Sequence, residues 1–264
     1  MGLQDSTKTR VEPFFDELML RDETGVTWLP RLIALPARAS ATAPHMRPAP
    51  FTRSGWGDAE IALPAPKDLL VWLVKNATLC DVEAHQKTSP STRAKRDLLL
   101  TRNAATIAEA LACLSRDPLP ARGWYILEGS TRPDVYLENE NVIVVIEGKR
   151  TEPDATTRTT WMSTRHQMLR HLDCAWERRA GRDIFGFFIV EGGGGENGVA
   201  VPPAWQAAVD ATVKTDALAA SLPHRTARER EAIASRFLGA TTWQRVCQEF
   251  DVSWSDLPET VRST

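Results

Sequence analysis

Residues 127–149, LEGSTRPDVYLENENVIVVIEGK, place two acids and a lysine where they can act together. Asp134 follows Pro133, and Glu147 and Lys149 flank Gly148 at the end of the apolar run Val142 to Ile146. Side chains alternate along a strand, so Glu147 and Lys149 project from one face. A tight turn at Glu140-Asn141 would fold Val135-Tyr136-Leu137 back on that run and carry Asp134 beside them. Two carboxylates suit Mg2+, which takes oxygen ligands, is held by one or two acids, and keeps positions for water and phosphate oxygens. A bound cation lowers the pKa of its water and neutralises phosphate charge, while a nearby ammonium orients that water or stabilises developing charge. Phosphodiester hydrolysis is the reaction these parts serve.

The elements that must position them can be read along the chain. Val142 to Ile146 is β-branched throughout and bounded by Glu138 to Asn141 and by Gly148, the pattern of a buried strand. Trp124 to Leu127 and Ile184 to Val190 are read as further strands. Apolar spacing predicts helices over Pro13 to Leu20, Lys67 to Thr78, Trp161 to Arg179, Trp205 to Leu222, Ala227 to Leu238 and Thr241 to Phe250. One long helix is expected from Ser89, a cap with Pro90 at the first position, to about Arg116. Between Thr27 and Ala65 prolines and glycines interrupt every pattern, which suggests an extended arm or cap. Trp28 and Trp56 there are read as pinning the loop to the core, with base stacking the alternative. The loop Arg150 to Thr160 after the lysine is expected to move over substrate.

At Pro133-Asp134 and Glu147-Gly148-Lys149 the sequence resembles the PD-(D/E)xK nuclease superfamily, over roughly Thr101 to Gly192. The resemblance implies an α/β fold with a restriction-endonuclease-like mixed sheet core, in the order αβββαβ. It implies Mg2+, with Mn2+ a substitute, held by Asp134 and Glu147, with Lys149 acting on the water. A helix before the hairpin often adds a glutamate in such proteins. Glu109 is the first choice for it, with Glu128 and Glu83 as competitors. Gln167 stands where RecB-like members carry a glutamine, and is assigned a catalytic contact to substrate or metal-bound water. The tyrosine expected four residues later is His171 here, a departure that leaves the subfamily open. Arg150, Arg165 and Arg170 are the candidate phosphate contacts, and Arg165 falls near a helix start that favours anions.

Composition bounds the rest. The 264 residues are 42% hydrophobic and 25% charged, with a net charge of -2, ordinary for a globular chain and without a global basic signature. Cys80, Cys113, Cys174 and Cys247 lie far apart with no CxxC pair, which argues for reduced thiols and against a zinc module or disulfide framework. No signal-peptide pattern or membrane-length apolar run occurs, so a cytoplasmic protein with no membrane partner is expected. Residues 1–66 are expected to form a loop-rich arm, 67–200 the nuclease-like core and 201–264 a helical extension. The expected activity is metal-dependent cleavage of nucleic acid, with DNA favoured over RNA and endonucleolytic cutting the expected mode. Cutting both strands would call for a homodimer or larger complex. The alternative is a catalytically silent nucleic-acid-binding or scaffold protein of the same fold.

Overall fold

In the computed structural model, which describes residues 5–39, 47–79, 88–150, 152 and 162–260, the β-branched run is the fully buried strand β3, Val142–Lys149. It pairs antiparallel with β2, Val135–Asn139, through a turn in which the Asn139 side chain accepts hydrogen bonds from the Asn141 and Val142 amides. Strands β1 (Phe51–Trp56), β4 (Asp183–Val190) and β5 (Phe237–Thr242) complete a five-stranded mixed sheet in chain order. β1 is antiparallel to β2, whereas β3, β4 and β5 run parallel. The β3-to-β4 connection is a crossover that contains a helix, as parallel neighbours require.

Alternation divides the sheet between two cores. Val135, Leu137, Val142, Val144 and Ile146 face one side, against α1 (Glu12–Arg21), α2 (Leu29–Ala34) and Trp243. Tyr136, Ile143 and Val145 face the other. That side is covered by the crossover helix, Gln167–Arg178, and by helices Pro203–Thr212, Thr215–Ser221 and Ala227–Ala234. A third cluster lies within residues 69–127, plus Met162, and is built by helices Lys67–Lys75, Pro90–Leu100 and Ala104–Leu114. In chain order these helices are α3 (Lys67–Lys75), α4 (Pro90–Leu100), α5 (Ala104–Leu114), α6 (Gln167–Arg178), α7 (Pro203–Thr212), α8 (Thr215–Ser221), α9 (Ala227–Ala234) and α10 (Trp243–Glu249).

Several elements differ from the sequence expectation. The single helix expected from Ser89 to Arg116 is two: Arg102 adopts φ 58°, and the Asn103 side chain accepts from the Thr106 amide at 3.0 Å to start α5. Trp124 to Leu127 is irregular, its carbonyls taken by the buried Arg96 guanidinium, which donates to Trp124 O and Ile126 O. The helix expected from Trp161 begins at Gln167. The expected helix Trp205 to Leu222 breaks into α7 and α8. Toward the carboxy terminus, Ala227 to Leu238 stops at Ala234 and Thr241 to Phe250 starts at Trp243, because β5 occupies the interval. Gly239, at φ 91°, marks the register shift where β5 joins β4.

The amino-terminal segment is likewise part of the core. Phe14 and Phe15 are fully buried, and Trp28 is pinned by donating Nε1 to Asp22 O at 2.9 Å. Trp56 donates Nε1 to Asp16 Oδ1 at 2.8 Å. Among the described residues no helix is long and apolar enough to cross a membrane.

Candidate active site

The last pair of the β2–β3 ladder is Val135 with Ile146, so Asp134 and Glu147 stand one step beyond it on adjacent strands. By alternation both join the α6 side of the sheet, as does Lys149. Asp134 Oδ2 accepts from the Gly148 amide at 2.8 Å, which fixes the acid against the strand end. Lys149 Nζ lies 3.2 Å from Glu147 Oε2, and Gln167 Nε2 donates to the same oxygen at 2.8 Å. Gln167 and His171 are one turn apart on α6 and share a face. His171 Nε2 approaches Glu147 Oε1 at 2.7 Å. Glu147 Oε1, His171 Nε2 and Gln167 Oε1 are all buried, and apart from that ion-pair approach no hydrogen bond reaches them.

Glycine is needed between the acid and the lysine. A Cβ on Gly148 would meet Val11 Cγ2 at 2.7 Å and Trp243 Cζ2 at 2.8 Å on the opposite face of the strand. Trp243 also donates Nε1 to Lys149 O at 3.2 Å.

Electrostatics separate the two acids. Burial pushes the Asp134 carboxyl well above the usual carboxylate range, and the Glu147 charge adds to this against Lys149 and the Gly148 amide. Burial also acts to raise Glu147, but His171 and then Lys149 outweigh it and hold Glu147 below its ordinary value. Burial tends to lower Lys149, yet Glu147 and Asp134 leave it raised, so it remains an ammonium. Half-buried Glu60, missed in the sequence, is raised by burial and by the Glu147 charge, and its own charge acts on Asp134. It reaches the site because Trp56 pairs with Val135, so the turn after β1 emerges beside Asp134.

Other candidates are placed elsewhere. Glu109 is exposed on α5, which packs on α3 and α4, and its carboxylate is taken by Lys95 Nζ at 2.6 Å. It is not brought to Glu147, so the expectation that it completes the metal shell is corrected. Glu128, the competitor, is buried under Arg165 and Arg170, at 3.0 and 3.2 Å. Glu83 lies outside the described residues, as do 151 and 153–160 of the expected mobile loop.

The three expected phosphate-contact arginines are all paired with carboxylates, Arg150 and Arg165 buried and Arg170 partly exposed. Arg165 is fully buried, paired with Glu128 and with Asp173 at 2.7 Å, and donates to Ser221 O. Arg170 is held by Glu128 and the carbonyls of Gly129 and Ser130. Arg150 is buried between Glu191, at 2.6 Å, and Glu259, at 3.0 Å. Each guanidinium already has carboxylate partners, so as placed none is available to phosphate. His166 shares a 3.1 Å hydrogen bond with Thr212 Oγ1, and burial lowers its pKa to about 4, which fits a structural role.

Among the described residues no group of three or more His, Cys, Asp or Glu is arranged to enclose a metal ion. The donor types nonetheless fit a hard dication held in part by water, because two carboxylates stand on adjacent strand ends close enough for the charge of one to act on the other. No family model matches the chain, and neither a curated protein nor a solved structure resembles it significantly.

Proposed function

We propose that the chain is a metal-dependent phosphodiesterase acting on nucleic acid, with a restriction-endonuclease-like core and DNA endonucleolysis as its activity. The observation that carries this reading is the placing of Asp134, Glu147 and Lys149 on one face at the ends of β2 and β3, where the charges of Glu147 and Lys149 act on Asp134. Three antiparallel strands, a crossover helix and a parallel strand in that order support the proposed core.

Asp134 and Glu147 would hold Mg2+, or Mn2+ in its place. When bound, the ion supplies Lewis acidity toward a phosphate oxygen and a more acidic water. Lys149 carries its charge throughout, so it serves as a hydrogen-bond donor that orients water and stabilises negative charge, and not as a proton acceptor. Gln167 holds Glu147 in place through Oε2.

The test is cleavage of supercoiled plasmid, single-stranded DNA and RNA in Mg2+, Mn2+ or EDTA. Lys149→Ala is expected to lower the rate by about 10²- to 10³-fold, the usual loss of one preorganised donor. Undiminished cutting by that variant would overturn the assignment. The inward pairing of Arg150, Arg165 and Arg170 favours a second reading, a scaffold of this fold without phosphate contacts. That reading predicts no cleavage and no metal-dependent stabilisation.

A further inference from the structure

His171 Nδ1 and the Thr131 hydroxyl share a buried 2.9 Å hydrogen bond. Histidines that bind metals commonly give their second ring N–H to an oxygen in this way, which fixes the tautomer and aims the other nitrogen. In the tautomer that gives Nδ1–H to Thr131, Nε2 turns a lone pair to Glu147 Oε1 at 2.7 Å, and in metal-free protein a proton on Nε2 makes the same approach an ion pair. Two such atoms at that separation call for a cation between them, a proton in the metal-free protein and a metal ion in its place. Both residues are 1% exposed, and neither atom has a hydrogen-bond partner. Gln167 Oε1, buried one helical turn away, is a third unpartnered donor.

We propose that His171 Nε2 is a metal ligand, and that with Glu147 Oε1 it makes the centre a mixed nitrogen–oxygen site selective for a first-row transition dication over Mg2+. The inference rests on the reading of this site as a metal centre and changes which ion it takes. Oxygen-only donors suit Mg2+, whereas an imidazole shifts preference to transition ions and orders them by the Irving–Williams series. Thr131 is a positioning residue in this scheme, acting through the imidazole.

The test is equilibrium binding of Mn2+, Co2+ and Mg2+ to the full chain, with pulsed electron paramagnetic resonance of the Mn2+ form. Expected are affinities in the order Co2+, Mn2+, Mg2+, and a nitrogen hyperfine coupling from one imidazole on Mn2+. His171→Asn should remove the coupling and weaken Mn2+ roughly tenfold or more, with less than about a threefold effect on Mg2+. Thr131→Val should keep the coupling and weaken Mn2+ by about 10- to 100-fold. The wild-type spectrum decides even if a variant fails to fold. Mn2+ bound without nitrogen coupling would overturn the histidine assignment while leaving the metal centre standing. That outcome would mean Nε2 keeps a proton and only braces the carboxylate. Absence of binding by any of the three ions would overturn both.

Discussion

At Asp134, burial and the neighbouring Glu147 charge favour the protonated carboxyl, and a dication reverses that preference. An acid whose folded pKa is raised favours the fold below the ordinary carboxylate range and opposes it as pH rises through the raised value. Metal-free protein should therefore lose stability in that window, and Asp134→Asn should recover it. In EDTA the variant is expected to melt higher than wild type at mildly alkaline pH, with the gap closing on acidification. Mg2+ at about 100 times its Kd should add about 2.7 kcal/mol to wild type, more weakly at acid pH and not in the variant. Thermal melts across pH check both; a wild type indifferent to Mg2+ at every pH would count against the site. Asp134, Glu147 and Lys149 were legible because a two-residue period and a short turn suffice to bring them together. Glu60 was not, since only pairing between β1 and β2, far apart in sequence, delivers it. His171 was visible only as a departure, because a histidine within an apolar helix stripe gives no sign of which strand end it faces.

Among the elements, α6 does most to hold the site, since Gln167 and His171 both meet Glu147 from it. Its start is clamped by Arg165, which joins Glu128, Asp173 and the Ser221 carbonyl at the end of α8. Asp173 in turn receives Arg225 Nε at 2.8 Å, and Arg165 holds it far below its usual carboxylate range. Removing one member of such a network strands buried charge, so Arg165→Ala should cost about 3–5 kcal/mol. Urea unfolding measures this; a loss below 1 kcal/mol, as expected of exposed pairs, would show that the clamp is unimportant. A sequence does not reveal whether an arginine near a helix start faces phosphate or an acid 37 residues away. The same blindness covers two strands. β1 sits among prolines and glycines, and β5 carries Gly239 and two threonines between helical patterns, so neither shows the apolar run that exposed β3.

Across the whole molecule, the helical cluster within residues 69–127 is an excursion with a core of its own, to which Met162 adds. The chain leaves and re-enters the sheet layer at one place, where Leu63 and Thr131 exchange backbone hydrogen bonds, both 2.8 Å. Replacing 67–126 with a Gly/Ser linker of roughly ten residues should leave a cooperatively folded protein that still binds metal. Circular dichroism melts and Mn2+ binding check this, and a molten product would show that the excursion is structurally required. A surface pocket of about 290 Å³, lined by Leu70, Leu119 and Ile126 on one side and Ala62 and Gly129 on the other, would be lost with it.

Gly148 is pressed by Val11, far before it in the sequence, and by Trp243, far after it, while Arg150 beside it reaches Glu259. The two acids and the lysine thus depend for their positions on Val11, made well before them, and on Trp243 and Glu259, made well after. Fragments that stop before Trp243 should therefore lack a formed site.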